Sequence, residues 1–398
     1  MTSHRQAHQQ ALPYGVFTRS GGSQVHVGVA VGDAVLDLTA AAATLLPEHA
    51  ALLRAGSLDP LLAAGRQTWT AVRAAVTRWL ADDRHARVLA PLFVPALDTT
   101  MHLPFTVADY VDFYSCEHHA INVGRIWRPG QPPLPSNWRH LPIGYHGRAG
   151  TVVVSGTPVT RPSGQRRAAD GAVTFGPSTA LDFEAEVGFV VGTPSTLGTP
   201  VPLAGFADHV FGLCLVNDWS ARDIQAFEYV PLGPMLGKSF ATSISPWVVP
   251  LDALSTARIR PPTRDPHPLP YLDDTATEPW GLDLTLEVRL NDHPISRPPF
   301  GGMYWTAAQQ LAHLTVNGAR VRTGDLLASG TVSGARADQR GSLLELSWNG
   351  QYPLALPDGT TRGFLADDDE VSITATAPGP DGSTLNLGEV RGRVTACH

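Results

Sequence analysis

The sequence predicts a mainly β chain of the α+β class, with a small unit over residues 1–100 and a large one over residues 101–398. Three observations carry this. Charged residues are scarce at 16%, while glycine (38) and proline (34) are plentiful, which favours turns and short strands over long helices. Short apolar runs bounded by turn residues recur along the chain, and few stretches have helical period. The length of 398 residues suits two domains, and Pro91 and Pro95 bracket a linker that places the boundary near Thr100.

Residues 1–11 are polar, rich in His and Gln, and are expected to fray. Gly15–Phe17, Val25–Val31 and Ala34–Leu38 read as short strands around glycine turns. Trp69, Val72, Val76 and Trp79 then fall on one helical face, a stripe for core packing. Beyond Thr100 strands dominate: Thr151–Ser155, Leu181–Val191, Val210–Val216, Trp247–Val249, Leu282–Leu290, Asp325–Ala328, Leu343–Trp348 and Glu370–Thr374. Thr306-Ala-Ala-Gln309 has the form of a capping box and opens a helix that ends at Asn317-Gly318.

The segment Leu181–Val191 concentrates the chemistry. Phe183, Ala185, Val187 and Phe189 alternate with Asp182, Glu184 and Glu186, so on a strand the acids share one face. Like charges at that spacing repel, and burying an unpaired carboxylate is costly. A hard cation such as Ca²⁺ or Mg²⁺ would relieve both penalties. A solvated acidic face is the alternative. Asp218 follows the apolar run Val210–Val216 where a strand meets a turn, a place for a ligand or catalytic group as well as for an ordinary turn residue. Ser220 is positioned to cap a short helix over Ala221–Phe227.

The stretch Thr106–Gly124 carries Asp112, Tyr114, His118 and His119. As one helix, it would put Asp112 and His119 on a shared face roughly 10 Å apart, too far to bind one ion. With a break near Ser115, Asp112 and Tyr114 share a strand-like face and Ser115 caps a helix bearing His119. Glu345, read as an acid in an apolar strand, needs a partner, and a histidine would serve. Gly233–Thr242 ends like a phosphate loop but misses that pattern by one residue and follows no strand, so it gives no nucleotide site; Lys238 remains as a cation for a catalytic cleft. Gly330–Gly334 is not a nucleophile elbow.

The formal charge of −7, without a basic cluster interleaved with aromatics, excludes nucleic acid as a partner. No apolar run approaches a membrane span and no signal-peptide pattern opens the chain. The odd set Cys116, Cys214 and Cys397 lacks any C-x-x-C spacing and fits a reducing, cytoplasmic setting. Cys214 reads as core, and Cys116 as structural rather than nucleophilic.

Ten segments together resemble the fumarylacetoacetate hydrolase family. They are Leu12–Phe17, Asp112–Tyr114, His119–Gly124, Leu141–Arg148, Asp182–Glu186, Asn217–Asp223, Glu228–Pro234, Gly237–Ser239, Ile244–Trp247 and Leu327–Thr331, in order over almost the whole chain. The resemblance implies a small SH3-like β-barrel before a larger mixed β-sandwich roll, assembled as a homodimer. It matches Asp112, Glu184, Glu186 and Asp218 to ligands of Ca²⁺ or Mg²⁺. Lys238 and Thr242 match positions linked to a further Mg²⁺, although an ammonium is a poor ligand and an electrostatic role suits Lys238 better. Ala241 stands where glycine is expected beside Thr242. His119 matches a general base and Glu345 its orienting carboxylate. Tyr114, Arg128, Gln225, Tyr229 and Thr331 match substrate contacts, with Gln225 and Lys238 also stabilising an oxyanion.

The implied reaction is hydrolysis of a carbon–carbon bond in 4-fumarylacetoacetate, a dicarboxylate diketone, to fumarate and acetoacetate, the last step of tyrosine and phenylalanine catabolism. The rival on the same scaffold is another acylpyruvate hydrolase or a β-keto acid decarboxylase. A cation-stabilised binding protein without catalysis would leave His119 and Glu345 without a task.

Overall fold

The computed structural model describes residues 11–168 and 170–397. Residues 1–10 of the end expected to fray lie outside the described residues, and Ala11 itself is buried. The expected mainly β architecture is present. One large sheet runs in the order Phe93–Pro95, Ala34–Asp37, Val25–Val31, Tyr14–Arg19, Trp247–Pro250, Val210–Asp218, Ala185–Val191, Leu326–Ala328, Tyr110–Phe113, Gly144–His146. Thr99–His102 branches from Tyr14–Arg19, and Thr242–Ile244 branches from Val210–Asp218. A five-stranded sheet contains His293–Ser296, Thr285–Leu290, Glu370–Pro378, Thr384–Thr395 and Val159–Thr160. The amino-terminal strands continue the large sheet through the pairing of Tyr14 with Val248, and no strand pairing closes them into a barrel among the described residues.

Both faces of the large sheet are covered. Leu213, Leu215, Val187, Phe189 and Leu327 point into a core shared with the five-stranded sheet. Cys214, Val216, Val190, Leu326 and Tyr110 point into a second core built with the amino-terminal residues. This is why Val210–Val216 is continuously apolar rather than alternating. The helix Arg66–Ala81 buries Trp69, Val72, Val76 and Trp79 as its period predicted, and the Trp69 ring meets Phe211 edge-on at 5.4 Å. Gly192 lets that indole approach, since a Cβ there would stand 2.3 Å from it.

Several expectations change. Leu343–Leu346 is a short helix, not a strand. Ser342 caps it by accepting from the Glu345 amide, and two further amides of its first turn find Asp182. Local hydrogen bonding thus decided a short apolar run whose period was ambiguous. Leu181–Val191 is interrupted, with Leu181–Asp182 pairing Ser220–Ala221 before Ala185–Val191 joins the main sheet. Ser220 is accordingly in a strand, and Ala221 is the residue preceding the helix Arg222–Glu228. Around Ser115 the broken arrangement holds, with strand Tyr110–Phe113 and helix Glu117–Trp127, but Cys116 occupies the cap position. The capping box at Thr306 and Gln309 opens the helix Ala307–Thr315 as expected. The longest strand, Thr384–Thr395, was not anticipated.

Candidate active site

Sheet register assembles the acidic residues. Ala185 pairs with Asn217 and Glu186 with Val216, while Ala328 pairs with Asp112. Glu184 and Glu186, Asp218 and Asp112 therefore arrive at the same end of a run of four strands, in which Leu326–Ala328 lies between Ala185–Val191 and Tyr110–Phe113. Alternation sets their direction: Asp112 shares a face with Tyr110, Glu186 with Val190, and Asp218 with Val216. Thr242 is the direct partner of Asp218 on the adjoining strand.

Asp112, Glu184 and Asp218 are buried, and a carboxylate oxygen of each lies within 4.8 Å of the others. Glu186 stands beside this group, with one oxygen accepting from the Gly330 amide at 3.1 Å. Lys238 pairs with both Glu184 and Asp218, and the Thr242 hydroxyl donates to Asp218 Oδ1 at 2.6 Å. Arg222 Nη1 reaches Glu184 Oε1 at 2.7 Å. Burial, with repulsion from Asp218, holds the Asp112 carboxyl well above the usual carboxylate range. Burial, with repulsion from Asp112, does the same for Glu186. For Glu184, burial is outweighed by Lys238 and Arg222, and its carboxyl falls below that range.

These groups fit a hard divalent cation. The donors are all oxygens, and Asp112 Oδ1 and Glu186 Oε1 are buried without a hydrogen-bond partner. Direct cationic partners reach only part of the cluster, through Lys238 and Arg222. A carboxylate left uncompensated in such a site is costly, and a divalent ion supplies the missing charge.

The second component is a histidine–carboxylate pair. His119 is 3% exposed and Glu345 fully buried, and Nδ1 of the ring lies 2.7 Å from Glu345 Oε2. The same carboxylate accepts from Ser333 Oγ at 2.8 Å, Ser342 Oγ at 3.0 Å and Asn122 Nδ2 at 2.8 Å. Burial raises the Glu345 carboxyl, but the neighbouring His119 and these hydrogen bonds outweigh it and hold it below the ordinary range. With Nδ1 turned to the carboxylate, Nε2 is the nitrogen left to accept a proton. The strand Tyr110–Phe113, which carries Asp112 of the cluster, leads after three residues into the helix Glu117–Trp127, which carries His119, and this brings the pair beside the carboxylates.

The remaining residues singled out by sequence surround these components. Tyr114 meets the His119 ring edge-on at 5.4 Å. Thr331 is buried with its hydroxyl lacking a partner. Gln225 accepts from Arg222 through its carbonyl at 3.1 Å, which leaves its amide nitrogen to donate elsewhere. Arg128 ends the His119 helix and donates to the Pro133 carbonyl. Tyr229 packs its ring against Trp127, one residue before Arg128. A cavity of about 150 Å³ opens beside Asp218 and Lys238, bordered also by Tyr110, Tyr145, Arg148 and Thr242. Its Tyr110 hydroxyl lacks a partner, and Tyr145 is the direct strand neighbour of Asp112.

Sequence reasoning missed Asn122, Ser333 and Ser342, which fix Glu345. Ser342-Leu-Leu-Glu345 has the same capping pattern as Thr306–Gln309, and that signal was available. Asp182 was grouped with Glu184 and Glu186, yet it faces Arg222 and the helix Leu343–Leu346 instead.

Comparison with known proteins gives concordant results. Residues 10–104 match the family model described as fumarylacetoacetase N-terminal, and residues 110–395 match fumarylacetoacetate hydrolase C-terminal. The chain is 45% identical over 401 residues to the fumarylacetoacetase of Homo sapiens, covering 96% of this chain and 94% of that protein. It is 44% identical over 402 residues to the fumarylacetoacetase of Arabidopsis thaliana, covering 97% and 94%. A fumarylacetoacetate hydrolase structure from Exiguobacterium antarcticum shares the fold, with a TM-score of 0.56 at 17% identity over 97% of this chain and 99% of that one.

Proposed function

The chain belongs to the fumarylacetoacetate hydrolase family, and on that premise we propose how its buried groups cleave 4-fumarylacetoacetate. The protein is an enzyme, a hydrolase that releases fumarate and acetoacetate, and its place is the last step of tyrosine and phenylalanine catabolism. The observation that carries the mechanism is the buried His119–Glu345 pair beside the carboxylate cluster.

Asp112, Glu184, Glu186 and Asp218 would hold Ca²⁺ or Mg²⁺. Bound there, the ion supplies Lewis-acid polarisation to the oxygens of the dicarbonyl substrate. Glu345 fixes the ring of His119 and stabilises it when charged. Nε2 takes a proton from water, and the resulting hydroxide oxygen bonds to the fumaroyl carbonyl carbon. Lys238 and the Gln225 amide donate to the oxyanion that forms, worth a few kcal/mol per donor. The bond from that carbon to the methylene then breaks. Its electron pair leaves with the acetoacetyl part, which recovers the proton from His119. Arg128, Tyr229, Tyr114 and Thr331 bind the substrate, with Arg128 as the bidentate carboxylate clamp. Lys238 acts by charge rather than as a metal ligand, and Thr242 orients Asp218.

The division at about residue 100, a homodimeric working form and a cytoplasmic location belong to the same reading. No helix among the described residues is long and apolar enough to cross a membrane. The test is incubation of purified protein with 4-fumarylacetoacetate, with and without a chelator. Equal, metal-dependent release of fumarate and acetoacetate is expected. Release that survives complete metal removal would overturn the role given to the carboxylate cluster.

A further inference from the structure

Asp182 is the one acid of its segment that the mechanism leaves without a task, and it is fully buried. It accepts four hydrogen bonds. Oδ1 takes the amides of Leu343 at 2.7 Å and Phe183 at 2.8 Å. Oδ2 takes the amide of Leu344 at 2.9 Å and Arg222 Nε at 2.8 Å. Leu343 and Leu344 open the short helix that presents Glu345. Arg222, through Nη1, holds Glu184 Oε1 at 2.7 Å and Gln225 Oε1 at 3.1 Å. One carboxylate thus touches the backbone under the histidine's partner and the guanidinium that grips a cluster acid.

We propose that Asp182 is a positioning residue that ties the carboxylate cluster to the His119–Glu345 pair, acting on Glu345 through the Leu343–Leu346 turn and on Glu184 through Arg222. Only an ionised carboxylate meets this demand, because both oxygens face donors alone. An asparagine would turn its amide hydrogens toward one pair of donors, whichever way it lay. Four donors and no acceptor face its two oxygens, which leaves no place for a proton. Without its charge, Arg222 is shared by one carboxylate fewer and neutralises Glu184 more fully, which weakens Glu184 as a cation ligand.

The inference rests on the hydrolase reading, so the test carries an arm independent of turnover. Asp182→Asn is expected to lower kcat by about 10–100-fold with little change in KM, and to weaken Ca²⁺ binding in calorimetry without substrate by about tenfold. In a Glu345→Gln background at saturating Ca²⁺, where the route through Glu184 is filled, the same change should cost under about threefold in kcat, because the remaining route runs through Glu345 alone. A merely structural role would give additive losses. Leu343→Pro is the second variant, since it deletes one donor to Asp182 at a helix position that accepts proline after an extended Ser342 (φ −148°, ψ 155°). It should lower kcat and leave Ca²⁺ affinity unchanged. Unaltered kcat and Ca²⁺ affinity in folded Asp182→Asn, or full additivity with Glu345→Gln, would overturn the proposal. Failure of the wild-type protein to cleave the substrate would instead remove the hydrolase reading, and the calorimetric arm would still decide the link to Glu184.

Discussion

Glu345→Gln is the perturbation that most directly probes the proposed base. Glu345 accepts from His119 Nδ1 at 2.7 Å, in a site where the carboxylate is fully buried. When His119 takes a proton from water, the ring and the carboxylate form an ion pair. At a charge separation of roughly 4 Å and an effective dielectric constant of about 20, that pair is worth about 4 kcal/mol. Glutamine forfeits the charge while keeping the shape. Its amide oxygen can still face Nδ1, but its nitrogen then meets Asn122 Nδ2, which now donates to Oε1 at 2.8 Å. Asn122 can answer by turning its own amide, so the fold should survive. At 1.36 kcal/mol per tenfold, the charge alone predicts a loss of about 10³ in kcat. The assay is fumarate release under saturating substrate and metal, with thermal unfolding and Ca²⁺ titration as controls. A loss under about tenfold in a folded, metal-loaded variant would refute the reasoning.

Two further outcomes are expected. Glu184→Ala should lose Ca²⁺ binding in calorimetry before any activity is measured, and it should leave Lys238 with Asp218 as its remaining partner; normal binding would show that the ligand set is wrong. Burial pushes the thiols of Cys116 and Cys214 up to about 11 and about 12, so near pH 8 only about one in a thousand or fewer is thiolate. The partly exposed Cys397 should therefore react first with iodoacetamide in the native protein, as read by mass spectrometry; rapid labelling of Cys116 would reopen a nucleophilic role for it.

Fold and site were unequally legible in the sequence. Strong period made the helix carrying Trp69 and Trp79 readable, and unbroken apolarity made Val210–Val216 readable as a strand buried on both faces. Thr384–Thr395 escaped because glycines and polar residues dilute its alternation, although Leu385, Leu387, Val390 and Val394 are all buried. Its positive-φ Gly388 falls between register segments, where it interrupts the period of two. Leu343–Trp348 was read as a strand because three leucines around one acid carry too little period to distinguish the two conformations.

By itself the sequence determined which residue types the site contains and which segments carry them. Acids beside apolar strands, a histidine after a strand break and an acid in an apolar run are local features of the chain. It also determined the family, because ten short segments keep their order from Leu12 to Thr331. Only the tertiary structure decided which acids meet. Asp112, Glu184 and Asp218 converge because Ala328 pairs with Asp112 and Ala185 with Asn217. Such pairings span long stretches of chain, and no local propensity encodes them. The same holds for Asp182, two residues before Glu184, which faces Arg222 and the Glu345 helix. Strand spacing alone would have put both acids on one face. The break at Phe183 and Glu184 leaves both on Arg222 but sends only Asp182 to the Leu343 and Leu344 amides and only Glu184 to Lys238.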